Sequence, residues 1–166
     1  MSGGSILRAV TETADTAVKG VVEFGLYHAR NRNAVLSRIS ICALGGYGRE
    51  ELCPQSDLDI CLLYDSQLEP DVKALNEYLV PFLWDIGFRV GYAIYSVSEA
   101  IALAIKDPTM FTSFAQARRI VGDNTTFARL KLLLSERRSQ DIDEVFRFVQ
   151  QRENPEALPE AHRDLY

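Results

Sequence analysis

Apolar residues recur at spacings of three and four through Ile6, Val10, Ala14, Ala17, Val21 and Phe24. That is the period of an amphipathic helix, predicted here over 6–37, with Gly20 a point of weakness or bending. The period then changes. Short apolar runs at 41–44 and 60–64 read as strands. Between them stand Gly45, Gly46 and Gly48, and a polar stretch that ends in Ser56, Asp57, Leu58 and Asp59. After a turn at 65–69, Pro70 opens a second helix, since proline is well tolerated at a first helical position. Val72, Leu75, Leu79 and Phe82 or Leu83 form its stripe, and Pro81 is expected to bend it or begin a new segment. Residues 88–97 are rich enough in β-branched and aromatic side chains for a strand. Phe88, Val90, Tyr92 and Ile94 would share one face, and Arg89, Gly91, Ala93 and Tyr95 the other.

Ser96 or Ser98 can cap a helix over 99–105, which Asp107 and Pro108 stop. Residues 109–121 read two ways: Met110, Phe111 and Phe114 suit a helix, while 114–121 suits a short strand. Gly122, Asp123 and Asn124 form a break. Thr125 then caps a helix through Phe127, Leu130, Leu133 and Leu134, with 135–140 as its solvated end. Residues 141–151 read as one more helix, and 153–166, polar and carrying Pro155 and Pro159, as a tail or truncated linker.

Composition narrows the function classes. The 166 residues carry a formal net charge of -5 and are 47% hydrophobic, an ordinary balance for a globular chain with its own core. No apolar run reaches membrane-spanning length, and the N-terminus lacks the basic start and long apolar run of a secretion signal. No membrane partner is expected, and cytoplasmic residence is the default. Mild acidity argues against a general nucleic-acid surface. Cys42, Cys53 and Cys61 have no metal-ligand spacing; Cys42 and Cys61 fall in the apolar runs and read as small buried hydrophobes. His28 has no second ligand at helical spacing and reads as an ordinary surface or packing residue.

The chemistry concentrates in 41–64. Residues i and i+2 of a strand face one side, so Asp57 and Asp59 would stand together while Leu58 and Ile60 turn into the core. Two carboxylates that close are unfavourable unless a cation or a proton separates them. Magnesium with phosphate oxygens fits, because it is a hard ion that prefers carboxylates and water. Three glycines at 45–48 let the backbone turn and approach a ligand, and their peptide N–H groups suit an anion. The stretch is neither the phosphate loop of the common nucleotide hydrolases nor the dinucleotide fingerprint. Arg49 can bind phosphate, pair with Asp57 or lie in solvent.

Leu44, Gly45, Gly46, Tyr47, Gly48 and Arg49, followed by Glu51, Leu52, Pro54 and the Ser56 to Asp59 signature, resemble the nucleotidyltransferase domain of bacterial protein-PII uridylyltransferases. These belong to the DNA-polymerase-β-like nucleotidyltransferase superfamily. Further matches fall at 83–87, at 90–92, at Ser98 and Glu99, and at Thr112, Ser113, Ala117, Arg118, Gly122 and Asp123. The resemblance covers about 44–130. It implies an α+β fold, a small mixed β-sheet flanked by helices, with the site at the sheet's rim. Taken with the helical patterns on either side, the chain divides into an N-terminal helical segment at 1–40, a nucleotidyltransferase core at 41–124, C-terminal helices at 125–152 and the tail beyond. The resemblance also implies a nucleoside triphosphate, UTP in the family, bound by Gly45, Gly46, Arg49 and Ser56. Asp57 and Asp59 would hold two magnesium ions and act as the catalytic residues, and the acceptor would be a tyrosine of a PII-type signalling protein, a nitrogen-regulation role.

Two departures from the family pattern stand out. Gln116 takes the place where the superfamily supplies a third carboxylate, and an amide lacks the charge that balances a metal pair. Asp107 and Asp123 are the nearest acidic alternatives. Tyr92 replaces a frequent histidine, and its strand setting favours packing. With two histidines, His28 and His162, the chain is not expected to contain the family's nucleotide-removing hydrolase domain. A catalytically weak or inactive nucleotide-binding module, and a transferase with another acceptor, are the alternatives.

Overall fold

Each residue of β1 (Ile39–Ala43) is buried, and the strand has neighbours on both edges. The computed structural model describes residues 3–27, 32–65 and 70–153. The expectations for His28, His162, residues 66–69 and the tail beyond 153 lie outside the described residues. β2 (Leu58–Tyr64), β3 (Val90–Ser96) and β4 (Arg118–Gly122) complete a four-stranded sheet in the order β3-β2-β1-β4. β1 runs antiparallel to β2 and β4, and β2 runs parallel to β3. The sheet is therefore small and mixed, and helices flank it, as the sequence reading expects.

Period-two alternation sorts the strands. Ile41, Leu58, Ile60 and Leu62 join one core with Ala14, Val18 and Val22 of α1 (Gly3–Gly25) and Leu75, Leu79 and Leu83 of α4 (Pro70–Asp85). Full burial of such a side chain contributes about 1.5–3 kcal/mol. On the other face Tyr95 meets Phe114 edge-on, with ring centroids 5.8 Å apart. Phe114 belongs to α6 (Pro108–Ala115), which follows α5 (Val97–Lys106).

Several boundaries differ from the sequence reading. The first helix ends at Gly25 rather than running to 37; a short α2 (Arg32–Leu36) precedes β1. Gly25 is also where α1 closes on α4: a Cβ there would lie 3.0 Å from Leu75 Cδ1. Helix α4 continues through Pro81 rather than restarting. Residues 109–121 satisfy both readings in turn, a helix and then a strand. Ser96 is the cap of α5, in a capping box with Glu99. The last helix, α7 (Asn124–Glu153), runs unbroken where two helices are expected. The residues of 135–140 are mostly adequate helix formers, so polarity alone gives no reason to stop. By contact, the chain divides into two units, Met1–Lys131 and Leu132–Tyr166.

The cap of α7 also differs: Asp123, not Thr125, receives the bonds, its Oδ2 accepting from Thr126 N at 2.7 Å and Thr126 Oγ1 at 2.8 Å. Burial penalises the Asp123 charge, but hydrogen bonds from Thr126 and Thr125 outweigh it and hold the carboxyl below its usual range. Because the folded pKa is depressed, the cap's stabilisation is present above the ordinary aspartate pKa and fades as pH falls through the lowered folded value. Asp123→Ala should cost about 1 kcal/mol at neutral pH. Urea unfolding at neutral and acid pH checks this, with the difference from the parent chain shrinking in acid.

Candidate active site

The start of β2 sets the site. Leu58 and Ile60 are buried, which turns Asp59 to the opposite face at the exposed end of the strand. Leu44 N donates to Asp59 O at 2.8 Å, which pins the end of β1 beside the acidic strand. The three glycines follow at once as a one-turn helix, α3 (Gly45–Gly48). Gly45 has a φ of 55°, a left-handed conformation that favours glycine.

Two glycines clear space for the Asp59 carboxylate. A Cβ at Gly45 would lie 3.0 Å from Asp59 Oδ2, and one at Gly91 would lie 2.7 Å from Oδ1. Gly91 is the parallel-register partner of Asp59 across β2 and β3. Strand alternation alone puts Gly91 on this face but assigns it no role. The pairing register, which a single sequence does not display, is the signal that identifies it.

Burial, and then the neighbouring charge of Asp57, raise the pKa of Asp59. The sequence reading puts both aspartates in one strand, but β2 begins at Leu58, so Asp57 stands just before the strand and Asp59 within it, with the charge of Asp57 felt at Asp59. Asp57 does not pair with Arg49. Its Oδ1 lies 2.9 Å from Arg89 Nε, and Arg89 Nη2 also donates to the Gln55 carbonyl. A cleft of about 600 Å³ opens here, lined by Gly46, Tyr47, Pro54, Gln55, Ser56, Asp57, Asp59 and Arg89.

Arg49 turns to other partners. It donates from Nε to Glu51 at 2.8 Å and from Nη1 to Gln116 Oε1 at 2.9 Å. Gln116 is the C-cap of α6, packed so tightly on the glycine turn that a Cβ at Gly48 would lie 2.9 Å from its carbonyl oxygen. Neither acidic alternative is spare: Asp107 caps α6 by accepting from Thr109 and Met110, and Asp123 caps α7. Tyr92 packs against the main core, and its buried hydroxyl has no hydrogen-bond partner among the described residues. Burial pushes that phenol upward.

A half-buried ion pair braces the glycine turn. Arg118 holds Asp15 of α1 through two bonds of 2.7 and 3.0 Å, and Tyr47 donates from its hydroxyl to Asp15 at 2.8 Å. The guanidinium also lies 5.5 Å from the Tyr47 ring centre. Asp15 and Arg118 keep only 16% and 23% of their side-chain exposure. Removing one partner of a fully buried pair costs about 3–5 kcal/mol, so for this partly exposed one Asp15→Ala should cost about 2 kcal/mol. The midpoint of urea unfolding checks this.

Magnesium, the ion the family resemblance implies, meets a suitable donor set. Among the described residues no three His, Cys, Asp or Glu side chains converge into a metal cage. Magnesium seldom uses one: it is commonly held by one or two carboxylates, with waters and substrate phosphates completing the shell. Asp57 and Asp59 both line the open cleft and are the carboxylates that could hold such an ion. Among the described residues no helix is long and apolar enough to cross a membrane.

No family model matches the chain. Individual proteins do. The chain is 36% identical over 126 residues to the bifunctional uridylyltransferase/uridylyl-removing enzyme of Caulobacter vibrioides, a match covering 76% of this chain and 13% of that protein. It is 33% identical over 132 residues to the enzyme of the same name from Azospirillum brasilense, covering 78% of this chain and 14% of that one. The Rhodospirillum rubrum enzyme is 30% identical over 132 residues, with 78% and 14% covered. The chain thus spans about one seventh of the length of these curated relatives.

Proposed function

Because the chain belongs to the bacterial uridylyltransferase/uridylyl-removing enzyme family as a nucleotidyltransferase domain, we propose that it transfers a nucleoside monophosphate from UTP or another nucleoside triphosphate to a protein hydroxyl. The acceptor proposed is a tyrosine of a PII-type signalling protein. The observation that carries this reading is the coupled Asp57 and Asp59 pair, set on a cleft beside the glycine turn.

In this reading Gly45, Gly46 and Ser56 receive the triphosphate, and the lack of side chains at the turn lets it approach the backbone. Asp57 and Asp59 hold magnesium, one ion or two. When bound, magnesium supplies Lewis-acid chemistry that favours ionisation of the acceptor hydroxyl and neutralises the departing pyrophosphate. Gly45 and Gly91 leave the Asp59 carboxylate room on its two sides. The Asp15, Arg118 and Tyr47 network holds the glycine turn against the sheet, so the phosphates meet a fixed surface. Arg49 supports the turn through Glu51 and Gln116.

The test is an acceptor panel. The full chain is incubated with magnesium and labelled UTP or ATP, together with a PII-type protein, a small polyol or a nucleic-acid end. Label on the PII-type protein is expected, with UTP the better donor. Label confined to another acceptor would keep the transferase and replace the substrate.

Gln116 favours a second reading, a catalytically weak or inactive nucleotide-binding module. By the resemblance a neutral amide takes the place of the superfamily's third carboxylate; its oxygen is engaged by Arg49, and Gln116 is not among the residues that line the cleft of Asp57 and Asp59. If neutrality limits the site, Gln116→Glu should raise magnesium-dependent nucleotide binding or transfer by about tenfold, one further hard ligand being worth about 1.4 kcal/mol here. Calorimetry with a nonhydrolysable nucleotide, with and without magnesium, measures this. No change would leave residue 116 as a support for Arg49 alone.

A further inference from the structure

Arg89 is not part of the sequence signature, yet it faces the signature's first carboxylate. Its backbone is fixed: Leu58 N donates to Arg89 O at 2.8 Å, which ties it to the start of β2. Its side chain reaches back across the cleft mouth, Nε against Asp57 Oδ1 at 2.9 Å and Nη2 against the Gln55 carbonyl. Both side chains of the pair are exposed, Arg89 to 72% and Asp57 to 59%. An exposed pair of this kind adds little to folding. Among the described residues that line the cleft, Arg89 is the only cation, and it stands with two anions.

That arrangement has a consequence for a nucleotide. A triphosphate approaching Asp57 and Asp59 is repelled by both carboxylates, and a divalent cation approaching Asp57 meets the guanidinium already there. Either obstacle is relieved by one exchange. A cation on Asp57 displaces Arg89, and the released guanidinium can present its planar fork of donors to phosphate oxygens. The long side chain can swing because its own backbone stays bonded to β2.

We propose that Arg89 is a phosphate-binding residue held in reserve by Asp57, trading that carboxylate for the triphosphate when the divalent cation binds. This rests on the proposed metal-dependent transfer and adds a residue and a coupling to it. Metal and nucleotide should each strengthen binding of the other, with Arg89 as the link. Without metal, Arg89 acts as a resident counter-ion that softens the repulsion between Asp57 and Asp59.

The test uses the full chain, manganese as a spectroscopic stand-in for magnesium, and a nonhydrolysable nucleotide. Arg89→Gln should bind manganese alone about two- to fivefold more tightly, the value of one exposed ion pair removed. The same variant should bind the metal-nucleotide pair about tenfold more weakly, through loss of charged hydrogen bonds to phosphate. Arg89→Lys should recover part of the nucleotide binding but not the two-pronged geometry. The thermal unfolding midpoint of both variants should match the parent chain. Opposite changes in metal and nucleotide affinity support the exchange, because a merely structural role moves both in one direction. If metal and nucleotide bind and Arg89→Gln alters neither, or weakens both, the exchange is wrong while the metal site stands. If the parent chain binds no manganese with or without nucleotide, the metal site itself is refuted, and the exchange with it.

Discussion

Asp59→Asn is expected to lower nucleotidyl transfer by about three orders of magnitude, equivalent to about 4 kcal/mol of transition-state stabilisation. The amide keeps the shape of the carboxylate and can still sit between Gly45 and Gly91, but it cannot supply the charge a hard cation requires. The fold should survive. Burial and then Asp57 raise the pKa of Asp59, so folding favours its neutral form. The sign follows from linkage: with a raised folded pKa, the parent chain loses stability as pH rises through that value. Asn has no such charge. The metal-free variant should therefore unfold at the same or a higher temperature than the parent at neutral pH, and the two should converge in acid below the ordinary aspartate pKa. Steady-state transfer and calorimetric unfolding across pH measure both arms. A variant that unfolds without cooperativity would assign Asp59 to the core instead.

The second large effect is expected from Gly91→Ala. The added Cβ would be 2.7 Å from Asp59 Oδ1, closer than atoms pack. Because the clash is with the tip of a side chain rather than with backbone, the carboxylate swings and the strand stays. Misplacing a reacting group by about 1 Å can cost about a hundredfold in rate, and that loss is expected here. The unfolding midpoint should move far less than the rate. Manganese titration gives an independent readout, since a displaced Asp59 should bind metal more weakly. Full activity in Gly91→Ala would show that the carboxylate position is not critical.

What was legible in the sequence follows from distance along the chain. The period of three and four finds α1, the apolar run at 60–64 finds β2, and period two sends Leu58 and Ile60 inward. The Asp57 and Asp59 pair is readable because the two residues stand two apart in the chain, although only Asp59 lies within β2 and Asp57 precedes it. Ends were less readable: α1 stops at Gly25, and α7 passes through a polar stretch that offers no reason to break. Contacts between distant strands were not readable at all. Gly91 serves Asp59 only through the parallel register of β2 and β3. Asp15 meets Arg118 across 103 positions, and Arg89 reaches Asp57 across a cleft mouth that exists only after the strands pair. Gln116 stands out in the sequence by its chemistry, whereas its bond to Arg49 exists only in the fold.

The most direct measurement follows the two ends of the triphosphate separately. The full chain is given magnesium, a PII-type protein and UTP labelled either at the α-phosphorus or at the γ-phosphorus. In the proposed transfer the acceptor oxygen bonds to the α-phosphorus, the bond to the β,γ-unit breaks, and the hydroxyl proton is given up. Label from the α-position should appear on a tyrosine of the acceptor, and label from the γ-position in pyrophosphate, with both signals abolished in Asp59→Asn. Label from the γ-position on the acceptor, or α-label transfer that persists in Asp59→Asn, would contradict the assignment of Asp57 and Asp59 to nucleotidyl transfer.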